Sequence, residues 1–215
     1  MTTLRPLAAA CAALFLAGCS ILGGPKEPPA IFTPDARAEA DPAWPSVRWQ
    51  LSTTRPTATR MLDSSRIAVS PVPGELQVYK GALWARTPTE MVEDGVLETL
   101  EDSGKIPAVA RQGSGIGADY RLVMDLRHFE ASYNEGGNPA SLPSAVIEVS
   151  AKLLHSQDQA VVGSRTFRQV QPAVGAEVAL VADAFSKALG ANSREIAGWV
   201  LVTGQAHEAT HPSTR

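Results

Sequence analysis

Five residues near the C-terminus, His207-Glu208-Ala209-Thr210-His211, carry the spacing of a zinc-hydrolase helix. Two imidazoles one helical turn apart can hold the metal, and the glutamate between them can activate its water. That chemistry also needs a third protein ligand on a well-buried scaffold. Here the motif follows Gly204, precedes Pro212 and has no acidic residue or histidine after it. The residues therefore predict a polar C-terminal tail over 205–215 and no metal; a secreted zinc hydrolase built on His207, Glu208 and His211 is the weaker reading. Gly113-Ser114-Gly115-Ile116-Gly117 has neither dinucleotide-loop nor P-loop spacing. It also precedes a strand-like run, whereas a phosphate loop follows one. A glycine-rich turn is expected there. No Gly-x-Ser-x-Gly elbow is present, and His128 and His155 fall in strand-like stretches, so a serine triad has no support. No catalytic residue and no cofactor are expected.

The reactive position to which the sequence does point is Cys19. Arg5 is followed by an apolar run from Pro6 to Leu16 and then by Leu16-Ala17-Gly18-Cys19, which resembles a bacterial lipobox. The resemblance implies cleavage before Cys19, a diacylglyceryl group on its thiol and an acyl group on the new amine, with residues 1–18 as the signal peptide. The apolar run is too short to cross about 30 Å of hydrocarbon. Two or three acyl chains, at about 0.8 kcal/mol per buried methylene, would hold the protein on a membrane. Ser20 after the cysteine favours the outer membrane by the sorting rule known for such signals. Cys11 leaves with the signal, so no disulfide or thiolate metal site is expected. Basic and acidic residues number 19 and 22 with no basic run, which argues against a nucleic-acid partner.

The rest of the chain divides by pattern. Residues 19–46 hold the lipidated cysteine and then Pro25, Pro28, Pro29, Pro34, Pro42 and Pro45 without helical or strand period, which predicts a tether. The competing reading is that Ile31 and Phe32 pack back on the domain. Regular patterning fills 47–204. Val47–Leu51, Arg66–Val72 and Leu76–Trp84 are strand-like, the last interrupted at Gly81. Thr87-Pro88-Thr89-Glu90 is a capping box with proline at the first helical position. Met91, Val92, Val96, Leu97 and Leu100 form its apolar stripe, Glu93, Asp94, Glu98 and Glu101 are expected to face water, and Gly104 ends the helix. Leu122, Met124 and Leu126 alternate with charged residues, and 143–170 has the form of a hairpin. Val178, Ala182, Phe185, Leu189, Ile196, Trp199 and Val200 recur at helical spacing, among small residues that let this helix approach a sheet or a second copy of the chain. The fold class expected is α+β: a mixed or antiparallel sheet with two helices packed on one face.

Several of these stretches together resemble a known family. Arg66-Ile67-Ala68-Val69, Leu76-Gln77-Val78-Tyr79-Lys80-Gly81-Ala82-Leu83-Trp84-Ala85, Leu97-Glu98-Thr99-Leu100-Glu101-Asp102-Ser103-Gly104 and Ala118-Asp119-Tyr120-Arg121-Leu122 are similar to the ABC-type transport auxiliary lipoproteins, the PqiC-like and YmbA-like proteins. The similarity spans about residues 47–203. It implies a non-enzymatic lipoprotein that serves an MCE-domain protein with its inner-membrane ABC permease and ATPase, moving lipid between the two membranes. An envelope-assembly or efflux-associated lipoprotein that binds a protein partner without touching lipid is the alternative. Tyr79, Lys80, Gly81 and Trp84, between a strand and a capped helix, are the expected partner surface, with Trp84 balanced between surface and core.

Overall fold

A computed structural model describes residues 27–135 and 142–211; the lipobox and Cys19 lie outside them. In chain order the elements are β1 (Ala30–Phe32), β2 (Leu51–Thr53), β3 (Thr57–Ala58), β4 (Arg66–Ser70), β5 (Gln77–Trp84), α1 (Pro88–Asp102), β6 (Val109–Arg111), β7 (Tyr120–Ser132), β8 (Ser144–His155), β9 (Val161–Pro172) and α2 (Val178–Glu208).

β7 organises the sheet. Its alternation buries Leu122, Met124 and Leu126, and a bulge between Leu126 and His128 shifts the phase by one so that Phe129 and Ala131 stay on the buried face. Along one edge β7 pairs antiparallel with β8 from Tyr120↔His155 to Ser132↔Ser144. Along the other, three short parallel strands lie end to end: β2 at Tyr120–Leu122, β3 at Asp125–Leu126 and β4 at Glu130–Ser132. β6 flanks β2, β5 and then β1 flank β4, and β9 flanks β8. The result is an open, mixed nine-stranded sheet. With the two helices among the described residues packed on it, the class is α+β.

The capping box forms as expected. Glu90 N donates to Thr87 Oγ1 at 3.4 Å, and Thr87 N donates to Glu90 Oε2 at 2.9 Å. The apolar stripe of α1 is buried, but so are Glu93 and Asp94, at 5% and 8% exposure. This corrects the expected water-facing side. Distant β2 and β6 supply Thr53 and Arg111 to those carboxylates, and helical spacing alone does not show this.

The part of the predicted tether that lies among the described residues, from 27 on, is also corrected. β1 adds to the sheet beside β5 (Ile31↔Leu83), and the chain from Asp35 to Trp49 then lies along α2. Asp35 N donates to Ser186 Oγ at 3.1 Å, and Arg194 meets Asp41 at 3.1 Å. Glycines of α2 make the approach possible. A Cβ on Gly190 would sit 3.0 Å from Arg37 O, one on Gly198 2.6 Å from Trp44 Nε1, and one on Gly204 2.5 Å from Trp49 Cζ2. Proline denies this segment a helical period, so its attachment is written in the receiving helix. The α2 helix itself continues past the boundary expected at 204 and takes in residues 205–208 of the predicted tail.

Candidate functional site

The segment expected to meet a partner divides between core and surface. Trp84 is 2% exposed, edge-on to Phe129 and Phe185 at 6.0 and 5.1 Å, which removes it from any surface. Tyr79 is half-buried against the core, and burial raises its pKa. Lys80 and Gly81 are exposed, with Gly81 at φ +69° where β5 changes phase. The split follows the register with β4, which shifts between Ala68↔Val78 and Arg66↔Leu83, so that Tyr79 packs on the core before Gly81 while Ala82 and Trp84 turn inward after it.

A second cluster gathers at the start of α1. Arg86 and Arg111 both bind Asp94, Arg111 lies 3.7 Å from Glu93, and Thr53 Oγ1 donates to Glu93 Oε1 at 2.9 Å. Arg55 bridges Asp63 at 3.2 Å, and Thr89 donates to the same Asp63 oxygen at 2.6 Å. The Thr89 hydrogen bond, then Arg55, holds the Asp63 carboxyl below its ordinary pKa; the Thr87 amide does the same for Glu90. A cleft of about 510 Å³ opens here, lined in part by Arg55, Glu93, Arg111 and Gly113. Its arginines are each matched by a carboxylate, so it has no surplus positive charge for a phosphate, in keeping with a plain turn at Gly113–Gly117. The cluster clamps α1 to β2 and β6. Sequence reasoning missed it because its members lie up to 58 positions apart, from Thr53 to Arg111.

The His-Glu-x-x-His residues form a third cluster with different chemistry from a zinc site. Tyr120, fully buried, donates its hydroxyl proton to Glu208 Oε2 at 3.1 Å. His207 Nδ1 lies 2.9 Å from the Tyr120 hydroxyl oxygen, whose proton goes to Glu208, so the ring nitrogen must donate to that hydroxyl. His155 packs 5.1 Å from the His207 ring and reaches Asp158 at 3.0 Å, while His211 stacks on His207 at 4.9 Å. Burial first, then His155 and His211, lowers the pKa of His207; burial and Glu208 raise that of Tyr120. The glutamate that would activate a metal-bound water is engaged by tyrosine, and no group of three or more candidate ligands able to hold a metal occurs among the described residues. Tyr120 and His155 are the partners that the sequence did not reveal.

A further carboxylate, Glu130, is 8% exposed on the sheet face away from the helices, beside a cleft of about 250 Å³. Its oxygens are occupied by Phe129 N at 2.8 Å and His128 Nδ1 at 2.6 Å. Among the described residues no helix is long and apolar enough to cross a membrane.

Comparison with known proteins gives the family to which this fold belongs. Residues 31–197 match the family described as ABC-type transport auxiliary lipoprotein component. The crystal structure of protein XCC0632 from Xanthomonas campestris, of family DUF330, is 50% identical, covers 84% of this chain and 99% of that one, and superposes with a TM-score of 0.79. A crystal structure of an uncharacterized protein, 14% identical over 80% of this chain and 97% of that one, shares the fold with a TM-score of 0.59. The protein bll6063 of Bradyrhizobium diazoefficiens is 28% identical over 87% of this chain, which spans only 49% of that protein's length. The match begins at Ile31, inside β1, so the N-terminal segment docked on α2 is part of the matched unit. The chain belongs to the family of ABC-type transport auxiliary lipoprotein components.

Proposed function

We propose that the protein is a non-enzymatic, lipid-anchored adaptor on the periplasmic side of the outer membrane. It docks an MCE-domain protein and, through it, an inner-membrane ABC permease and ATPase, so that lipid passes between the two membranes. Family membership across residues 31–197 carries this reading. Leu16-Ala17-Gly18-Cys19 supports the anchor, with diacylglyceryl and N-acyl groups on Cys19, and Ser20 supports the outer membrane. The side chains capable of chemistry support an adaptor over an enzyme, because Glu93, Asp94, Glu130, His207 and Glu208 are each held in internal hydrogen bonds or ion pairs. The test is chemical cross-linking in intact cells followed by purification of the tagged chain. An MCE-domain protein enriched with it supports the reading. Recovery of only an assembly or efflux partner would replace it with the alternative.

A further inference from the structure

One end of the sheet is left open over an unusual length. β9 has 12 residues and, among the described residues, pairs only with β8. The opposite outer strand, β1, has only 3. Extended backbone directs its N–H and C=O groups alternately to either side, so the outward edge of β9 offers a row of unpaired groups about 40 Å long. The stretch Gly163–Gln171 keeps unbroken register with β8, and Phe167 is the only buried residue of the strand. Such an edge is a template for another strand unless it is covered or bent.

Helix α2 stands beside this edge without capping it. Asn192 donates to Phe167 O at 3.4 Å, Trp199 lies edge-on to Phe167 at 5.6 Å, and Trp199 and Thr203 close on Gly163. The edge and the helix thus form a ledge of the kind used for strand addition, with backbone groups for affinity and side chains for selectivity. Its charge is one-sided. β9 contains Arg165 and Arg168 and no acidic residue. Arg168 is neutralised by Glu135 and Glu148, whereas Arg165 lies 4.9 Å over the Phe167 ring with no carboxylate partner among the described residues.

We propose that the open edge of β9 receives an extended, carboxylate-bearing segment of a partner protein as an additional strand, with Arg165 reading its charge. A second copy of this chain fits less well, because pairing β9 with its own copy would bring two pairs of arginines onto adjacent strands. The proposal deepens the adaptor reading and rests on it only in taking the occupant to be a partner protein.

The test uses the full chain in detergent micelles and two synthetic peptides of 12 residues, matched to β9, one alternating Glu with Val and the other Lys with Val. Hydrogen exchange is followed by mass spectrometry. The Glu peptide is expected to slow exchange across Val161–Pro172 by about tenfold while the Lys peptide has no effect, and Arg165→Glu is expected to reverse that preference without lowering the melting temperature. Absence of protection, equal protection by both peptides, protection at the β5 edge alone, or concentration-dependent protection with no peptide present would each overturn the proposal, the last in favour of a second copy. Neither peptide contains an MCE sequence, so failure to recover an MCE protein from cells would leave this result standing.

Discussion

Trp84 and Lys80 are four positions apart and have opposite fates, which makes them a direct check on the β5 phase change at Gly81. Trp84→Ala removes a side chain packed against Phe129 and Phe185 and should cost about 3–5 kcal/mol of folding stability. Lys80→Ala should stay within about 0.5 kcal/mol. Urea unfolding of both variants measures the difference; similar losses would contradict the assigned phase. At the other end of the sheet, His207 gives a pH dependence with a definite sign. Its folded-state pKa lies below the unfolded value of about 6.5, so the unfolded chain takes up the proton first as pH falls. Its contribution is present above about pH 6.5 and lost as pH drops through the depressed folded value. Asp63 and Glu90 are also depressed, but from carboxylate values, so their contribution is lost only below about pH 4. Calorimetry between about pH 7.5 and 5.5 should therefore show a falling melting temperature in the parent and a shallower slope in His207→Gln. Equal slopes would take His207 out of the account.

Elements were readable from sequence where local rules fix them and unreadable where the deciding partner is far away. The capping box at Thr87–Glu90, the buried Leu122-Met124-Leu126 face and the β8–β9 hairpin rest on adjacent residues. The burial of Glu93 and Asp94 depends on Thr53 and Arg111, and the docking of Trp44 and Trp49 depends on Gly198 and Gly204. A proline-rich stretch looks the same whether free or laid against a helix, so composition misassigned it. The glycine track is testable at this scale. Gly198→Ala sets a methyl 2.6 Å from Trp44 Nε1 and should destabilise by about 1–3 kcal/mol, whereas Gly117→Ala meets nothing within 4 Å and should be nearly silent. Denaturant midpoints decide it. If Gly198→Ala is silent as well, the N-terminal segment is not seated on α2.

At the scale of the molecule, docking of the N-terminal segment on α2 would shorten the link to a membrane anchor at Cys19. On the proposed anchoring at Cys19, the chain between it and Ala30 would reach about 36 Å at most, at about 3.3 Å per residue, which would keep the domain near the lipid surface and leave its body to bridge to the proposed partner. The candidate sites divide accordingly. The proposed lipidation cysteine is legible in the sequence because a signal is a contiguous string, whereas the proposed docking edge is not, since an open sheet edge exists only once β7, β8 and β9 are paired. The most direct measurement is density-gradient separation of the two membranes from cells carrying the parent or Cys19→Ala, with the chain and the MCE-domain protein cross-linked to it quantified in each fraction. The account predicts that the parent is found at outer-membrane density with the MCE protein attached, and that Cys19→Ala yields a folded chain freed from that fraction. A Cys19→Ala chain that stays in the outer-membrane fraction, or a parent that reaches it with no MCE protein attached, would contradict the claim of a lipid-anchored adaptor.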